Sequence, residues 1–92
     1  MKLWMICYDI AEDRSRRCME KLLYGFGEKV NFTVFECQLK TAQFDRIWYE
    51  MTKFINPETD SLRAYPLCTW CEERVVFQGR GRKPGLPIDW IL

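Results

Sequence analysis

Histidine is missing from the 92 residues of this chain. Its absence removes Ser-His-Asp and Cys-His nucleophilic catalysis, together with any paired-histidine acid/base mechanism. Acid/base work falls to carboxylates, tyrosine, lysine, cysteine or metal-activated water. Net charge is small too: 14 basic residues against 13 acidic ones leave a formal charge of +1, so affinity for nucleic acid has to come from local clusters. No run approaches the ~18 consecutive apolar residues of a membrane helix. Asp9 interrupts the basic-then-apolar order of a signal peptide, and the cytoplasm is the expected compartment. Cysteines are odd in number. Of the 5, Cys7, Cys18 and Cys37 lie inside apolar patterns, which suits reduced thiols better than a secreted disulfide framework.

What the chain does have is apolar surface, 48% of its residues, in a length that closes only a marginal core alone, so oligomerisation is expected. The stretch KLWMICYDIAEDRSRR, residues 2–17, organises the rest. Residues 3–8 are apolar at both parities, and since a strand alternates its side chains between two faces, both faces are expected to be covered. Such a strand is a central one, and ligands of open α/β sheets bind beyond the carboxyl ends of strands. Asp9 is the first charge at that end.

After a short loop at 10–12, Asp13 is the expected N-cap of a helix with Met19, Leu22, Leu23 and Phe26 on its apolar side. Cys18 and Leu22 are expected one above the other on the buried side, with Arg14, Arg17 and Lys21 sharing the opposite face. Residues 29–39 have strand composition and are long enough to fold as a hairpin around 31–33. Thr41 is the expected cap of a second helix, whose Phe44, Ile47, Trp48, Met51, Phe54 and Ile55 follow helical spacing. NPETD at 56–60 is turn chemistry, and 61–67 reads as a strand with Pro66 near its end. The order βαββαβ is the ferredoxin-like α+β arrangement, with both helices on one face of an antiparallel sheet. The other face then needs a cover, and a second copy of the chain is the simplest one. Residues 1–78 form that domain, with 75–77 as a short strand. Residues 79–92 are a basic linker and an extra C-terminal strand for the chain's own sheet or its partner's.

Tyr8-Asp9-Ile10 followed by Arg14, Arg16 and Arg17, then TVFEC at 33–37 and DSLRAYPLC at 60–68, resemble the CRISPR-associated protein 2 family over essentially the whole chain. Thr33 stands where that family usually has serine and keeps the hydroxyl. The resemblance implies a ferredoxin-like homodimer working with the CRISPR integrase, Cas protein 1, in capturing new spacers. It also implies a metal-dependent endonuclease acting on single-stranded RNA or double-stranded DNA. An aspartate ending the first strand holds magnesium between two subunits in that family; by position it is Asp9, and the arginines that follow map to Arg14, Arg16 and Arg17.

From the residues themselves, Asp9 is either a cap of the following loop or a magnesium ligand. Magnesium accepts one or two carboxylates plus water and phosphate oxygens, so a twofold axis that doubles Asp9 makes a usable site. Glu12, Asp13 and Glu36 are candidates to complete it, each with a duller reading as loop, cap or exposed strand residue. Arg14, Arg16 and Arg17 are either a solvated helix face or a seat for phosphate oxygens. Arg80, Arg82 and Lys83, in a stretch free of acidic residues between 74 and 88, are a second phosphate track or a soluble linker. Cys68-Thr69-Trp70-Cys71 is a lone C-x-x-C, short of the four ligands of structural zinc. Tyr8, Phe35 and Tyr65 are expected in core or interface rather than as base-stacking platforms. Three functions follow: a magnesium-dependent nuclease dimer, a non-catalytic DNA-binding scaffold dimer bridging integrase dimers, and a small-molecule or thiol module on the same fold.

Overall fold

The structure, a computed structural model, describes residues 1–76, 78 and 79. Strand β1 spans Lys2–Asp9, helix α1 Asp13–Tyr24, strand β2 Gly27–Asn31, strand β3 Val34–Leu39, helix α2 Thr41–Thr52 and strand β4 Ser61–Leu67, followed by a one-turn helix α3, Thr69–Glu72. The sheet order is β2-β3-β1-β4 with every neighbouring pair antiparallel, which is the ferredoxin-like α+β fold.

β1 is central because it offers apolar side chains to both sides. Trp4, Ile6 and Tyr8 face the helix layer and meet Met19 and Leu23 of α1, Ile47 and Met51 of α2, and Phe35, Cys37 and Leu39 of β3. Trp4 stacks on Phe44, centroids 3.7 Å apart, and Phe44 continues the stack to Trp48. Phe54 and Ile55 lie past the end of α2 yet pack against the same core. Leu3, Met5, Cys7 and Asp9 point to the opposite, helix-free side. There Leu3 is buried where α3 packs over β1, and Glu72 of α3 accepts a hydrogen bond from Gln38 of β3. Met5 and Cys7 remain half-buried and Asp9 exposed.

Several local details differ from expectation. Glu12, not Asp13, is the N-cap of α1, and Lys40, not Thr41, that of α2; each expected cap is the first helical residue. The Lys40 N–H is taken by the Gln43 side chain, so the first turn of α2 is closed from inside. Cys18 is exposed rather than buried, because Met19 and Leu23 occupy the face turned to the sheet, and Phe26, beyond the helix end, is 39% exposed. Val75 and Val76 are in no strand: the chain turns into α3 after β4 instead. The expected linker and terminal strand at 80–92, with Phe77, lie outside the described residues.

Gly27 opens β2 directly against β3. A Cβ there would stand 2.3 Å from the Glu36 carbonyl oxygen and 2.4 Å from Cys37 Sγ, so only glycine lets the two backbones approach this closely. Gly27→Ala is expected to cost about 1–3 kcal/mol through forced backbone displacement, read as a lower urea midpoint with unchanged slope.

Candidate functional site

Asp9 ends β1 between two anchored neighbours. Tyr8 is 2% exposed and Ile10 4%. Burial of both, on the helix side, leaves the residue between them facing the helix-free side. Asp9 pairs in register with Ser61 and Cys7 with Arg63. Cys7, Tyr8, Asp9, Ser61 and Arg63 line a shallow depression of about 230 Å³.

The backbone around Asp9 is tied down on both sides. The Tyr8 hydroxyl donates to Glu20 Oε2, which also takes Lys29 Nζ at 2.9 Å, joining β1, α1 and β2. The Lys29 hydrogen bond, then that from Tyr8, holds the Glu20 carboxyl below its ordinary value, while burial and then the Glu20 carboxylate push the Tyr8 phenol up. On the other side Asp60 accepts from the Ala11 N–H at 3.0 Å, the Asn56 N–H at 2.8 Å and the Thr59 hydroxyl at 3.0 Å. Those backbone hydrogen bonds, Ala11's first, lower the Asp60 pKa and fasten the loop after Asp9 to the turn before β4.

The other candidate acids do not gather at Asp9. Glu12 takes the Ser15 hydroxyl at 3.0 Å, and Asp13 pairs with Arg16. Glu36 pairs in register with Met5, four residues and therefore about 13 Å along the strand from Asp9. Burial and then the neighbouring Glu28 carboxylate raise its pKa. Among the described residues no group of three or more His, Cys, Asp or Glu side chains is placed to hold a metal. Among the described residues one chain thus offers a single carboxylate here, within the one or two that magnesium takes beside water and phosphate oxygens, and a second copy would supply another.

Arg14 and Arg17 are exposed on the solvent side of α1, in the layer opposite the face to which Asp9 belongs, and Arg16 is half-buried against Asp13. Arg80, Arg82 and Lys83 lie outside the described residues. Ser61 and Arg63 are the residues that sequence reasoning missed. Their signal was present in DSLRAYPLC, but which strand residue stands beside Asp9 depends on the β1–β4 register. Tyr8 and Phe35 are core, as expected, and Tyr65 is 43% exposed on the helix-free face. Cys68 caps α3 by accepting the Cys71 N–H, which lowers its thiol pKa, and the hydrogen bond between the two thiols raises that of Cys71. Both are free and exposed.

A ferredoxin-like sheet with a lone exposed aspartate at the carboxyl end of its central strand defines a small α+β protein whose site opens on the uncovered sheet face. Residues 1–75 match the model of CRISPR associated protein Cas2, and the chain belongs to that family. It is 45% identical over 67 residues, 73% of each chain, to the CRISPR-associated endoribonuclease Cas2 3 of Synechocystis. Among solved structures it superposes on Streptococcus pyogenes Cas2 at pH 6.5 with a TM-score of 0.73 and 30% identity, over 84% of this chain and 99% of that one. A chain of a partial Cas6-RT-Cas1–Cas2 complex matches at TM-score 0.69 and 25% identity, over 95% of this chain and 100% of that one.

The Glu20 tether has a pH signature. Because its folded-state pKa is depressed, its stabilisation is fully present above the ordinary value of 4.5 and is lost as pH falls through the folded value. Glu20→Gln is expected to lower stability by about 1–2 kcal/mol at pH 7. The gap to wild type should close progressively in urea titrations below pH 4.5.

Proposed function

We propose that two copies of this chain lay their helix-free sheet faces together about a twofold axis and form a magnesium-dependent endonuclease of the CRISPR adaptation machinery. The observation that carries this reading is the position of Asp9: exposed, on the uncovered face, and pinned between buried Tyr8 and Ile10. Half-buried Met5, Val34 and Leu67 on that face supply apolar surface for the second copy. Symmetry then doubles the single carboxylate. The two Asp9 carboxylates would hold magnesium, which when bound would supply a Lewis acid for a phosphodiester oxygen and an activated water. The chain's own part is to fix two carboxylates without histidine and to leave the depression open to a backbone phosphate. The similar Synechocystis protein carries the name endoribonuclease, and the similar complex contains Cas1, which supports RNA cleavage and a Cas1 partner for this chain. Arg14, Arg16 and Arg17 on α1, with Arg80, Arg82 and Lys83 beyond the described residues, serve as the wider cationic surface for duplex DNA. No helix among the described residues is long and apolar enough to cross a membrane.

A second reading, a DNA-binding scaffold that bridges integrase dimers without cleaving, is favoured by one observation: a single chain gathers no metal cluster among its described residues. Wild type and Asp9→Ala, incubated with single-stranded RNA and with duplex DNA in magnesium or in chelator, separate the two. The nuclease reading expects cleavage in magnesium only, reduced about 100-fold or more in Asp9→Ala, the equivalent of several kcal/mol of lost charge stabilisation. Identical traces in every lane leave the scaffold.

A further inference from the structure

The cation nearest to Asp9 along the sheet is not on α1. Arg63 of β4 stands in register with Cys7, and its neighbour two residues back, Ser61, with Asp9, so Arg63 and Asp9 are diagonal neighbours across the β1–β4 pair. Side chains so related have Cα atoms roughly 7–8 Å apart, within reach of a long side chain. Both line the same depression, with Ser61 between them.

Arg63 is also uncommitted. Among the described residues its hydrogen bond is a long one, 3.4 Å, from Nη1 to the Tyr65 hydroxyl, and it forms no ion pair with a carboxylate there. Arg16 and Arg74, by contrast, are paired with Asp13 and Glu73. A guanidinium has five N–H donors in a planar fork that matches two oxygens of a phosphate. An exposed arginine on an edge strand also blunts unwanted strand pairing, but that purpose asks nothing of its neighbours. Here the neighbours are a hydroxyl and an exposed carboxylate around an open depression.

We propose that Arg63, helped by the Ser61 hydroxyl, seats a backbone phosphodiester of the nucleic acid in the Asp9 depression. The inference rests on the nucleic-acid reading given above and moves the phosphate seat from the α1 arginines to the sheet face that carries Asp9. Arg63 binds the charge of the phosphate and carries no base specificity, since contacts to phosphate oxygens position a strand without reading it.

The test is binding of a fluorescent single-stranded RNA and of a duplex DNA, in chelator so that no metal takes part, across a salt series. Wild type, Arg63→Gln, Arg63→Lys, Ser61→Ala and the double variant Arg14→Gln/Arg17→Gln are compared, with the mass of each in solution measured in parallel. Arg63→Gln should bind about tenfold more weakly on both probes, with a salt slope smaller by about one phosphate contact. Arg63→Lys should restore the salt slope but only part of the affinity, since an ammonium keeps the charge without the two-oxygen fork, and Ser61→Ala should lose a few-fold. Unchanged affinity and slope in Arg63→Gln, or a loss confined to the α1 double variant, overturns the proposal. So does a change of mass in Arg63→Gln, which would assign the guanidinium to a contact between copies. Cleavage by wild type in magnesium is scored separately: its absence removes the nuclease reading while the binding comparison still decides Arg63.

Discussion

Everything at the candidate site depends on a period of two imposed by burial. Ile6, Tyr8 and Ile10 are each no more than 4% exposed, and returning one such side chain to water costs roughly 1.5–3 kcal/mol. Cys7 and Asp9 therefore have no choice of face. A slip of one residue in the β1–β3 or β1–β4 register would turn the buried set to solvent and draw Asp9 into the core, where an unpaired carboxylate cannot stay charged. The exposure of Asp9 is thus a consequence of the core packing.

Fixing the face does not fix the backbone, and two charged ties complete the job. Glu20 gathers Tyr8 and Lys29 beneath β1, while Asp60 gathers Ala11, Asn56 and Thr59 around the loop that follows it. These are hydrogen bonds to carboxylates, stronger than neutral ones. Both acids are spent on structure, and neither is available as a ligand. The division of labour leaves Asp9 as the acid that faces the depression with its neighbours already held.

Periodicity made the central layers legible. The unbroken apolar run at 3–8, the helical spacing from Phe44 to Met51 and the turn at 56–60 correspond to β1, α2 and the loop into β4, and β4 itself spans the expected 61–67. Helix caps were misplaced by one residue because Asp and Thr are favoured both as caps and in the first turn, and tertiary ties such as Asp60 to Ala11 decide between them. α3 was invisible because four residues carry no period, and what stabilises it, Gln38 to Glu72 and the cover over Leu3, is tertiary. The site split along the same line. Asp9 could be found as a strand end, but Arg63 could not, since its place beside Asp9 is set by the pairing of Asp9 with Ser61, far apart in the chain, which brings residue 63 diagonally across from Asp9.

The charge pattern of the uncovered face gives that missed arginine its meaning. Toward the β2 edge, Glu28 and Glu36 stand opposite one another, and the burial and like charge that raise Glu36 make this end hostile to a polyanion. Toward the β4 edge stands Arg63, with Tyr65 and Ser61 and no acid but Asp9 around the depression. Two unit charges a few ångströms apart in water exchange only about 1 kcal/mol, so neither end decides binding alone. Opposed across one sheet they favour the β4 side of the Asp9 end, at the depression that the pairing of sheet faces leaves open, as the place where a phosphate enters. A nucleic-acid backbone guided by the α1 arginines alone would pass on the far side of the sheet from Asp9. For the aspartate to matter chemically, the phosphate has to be drawn to its own side, and Arg63 is the described cation placed to do so.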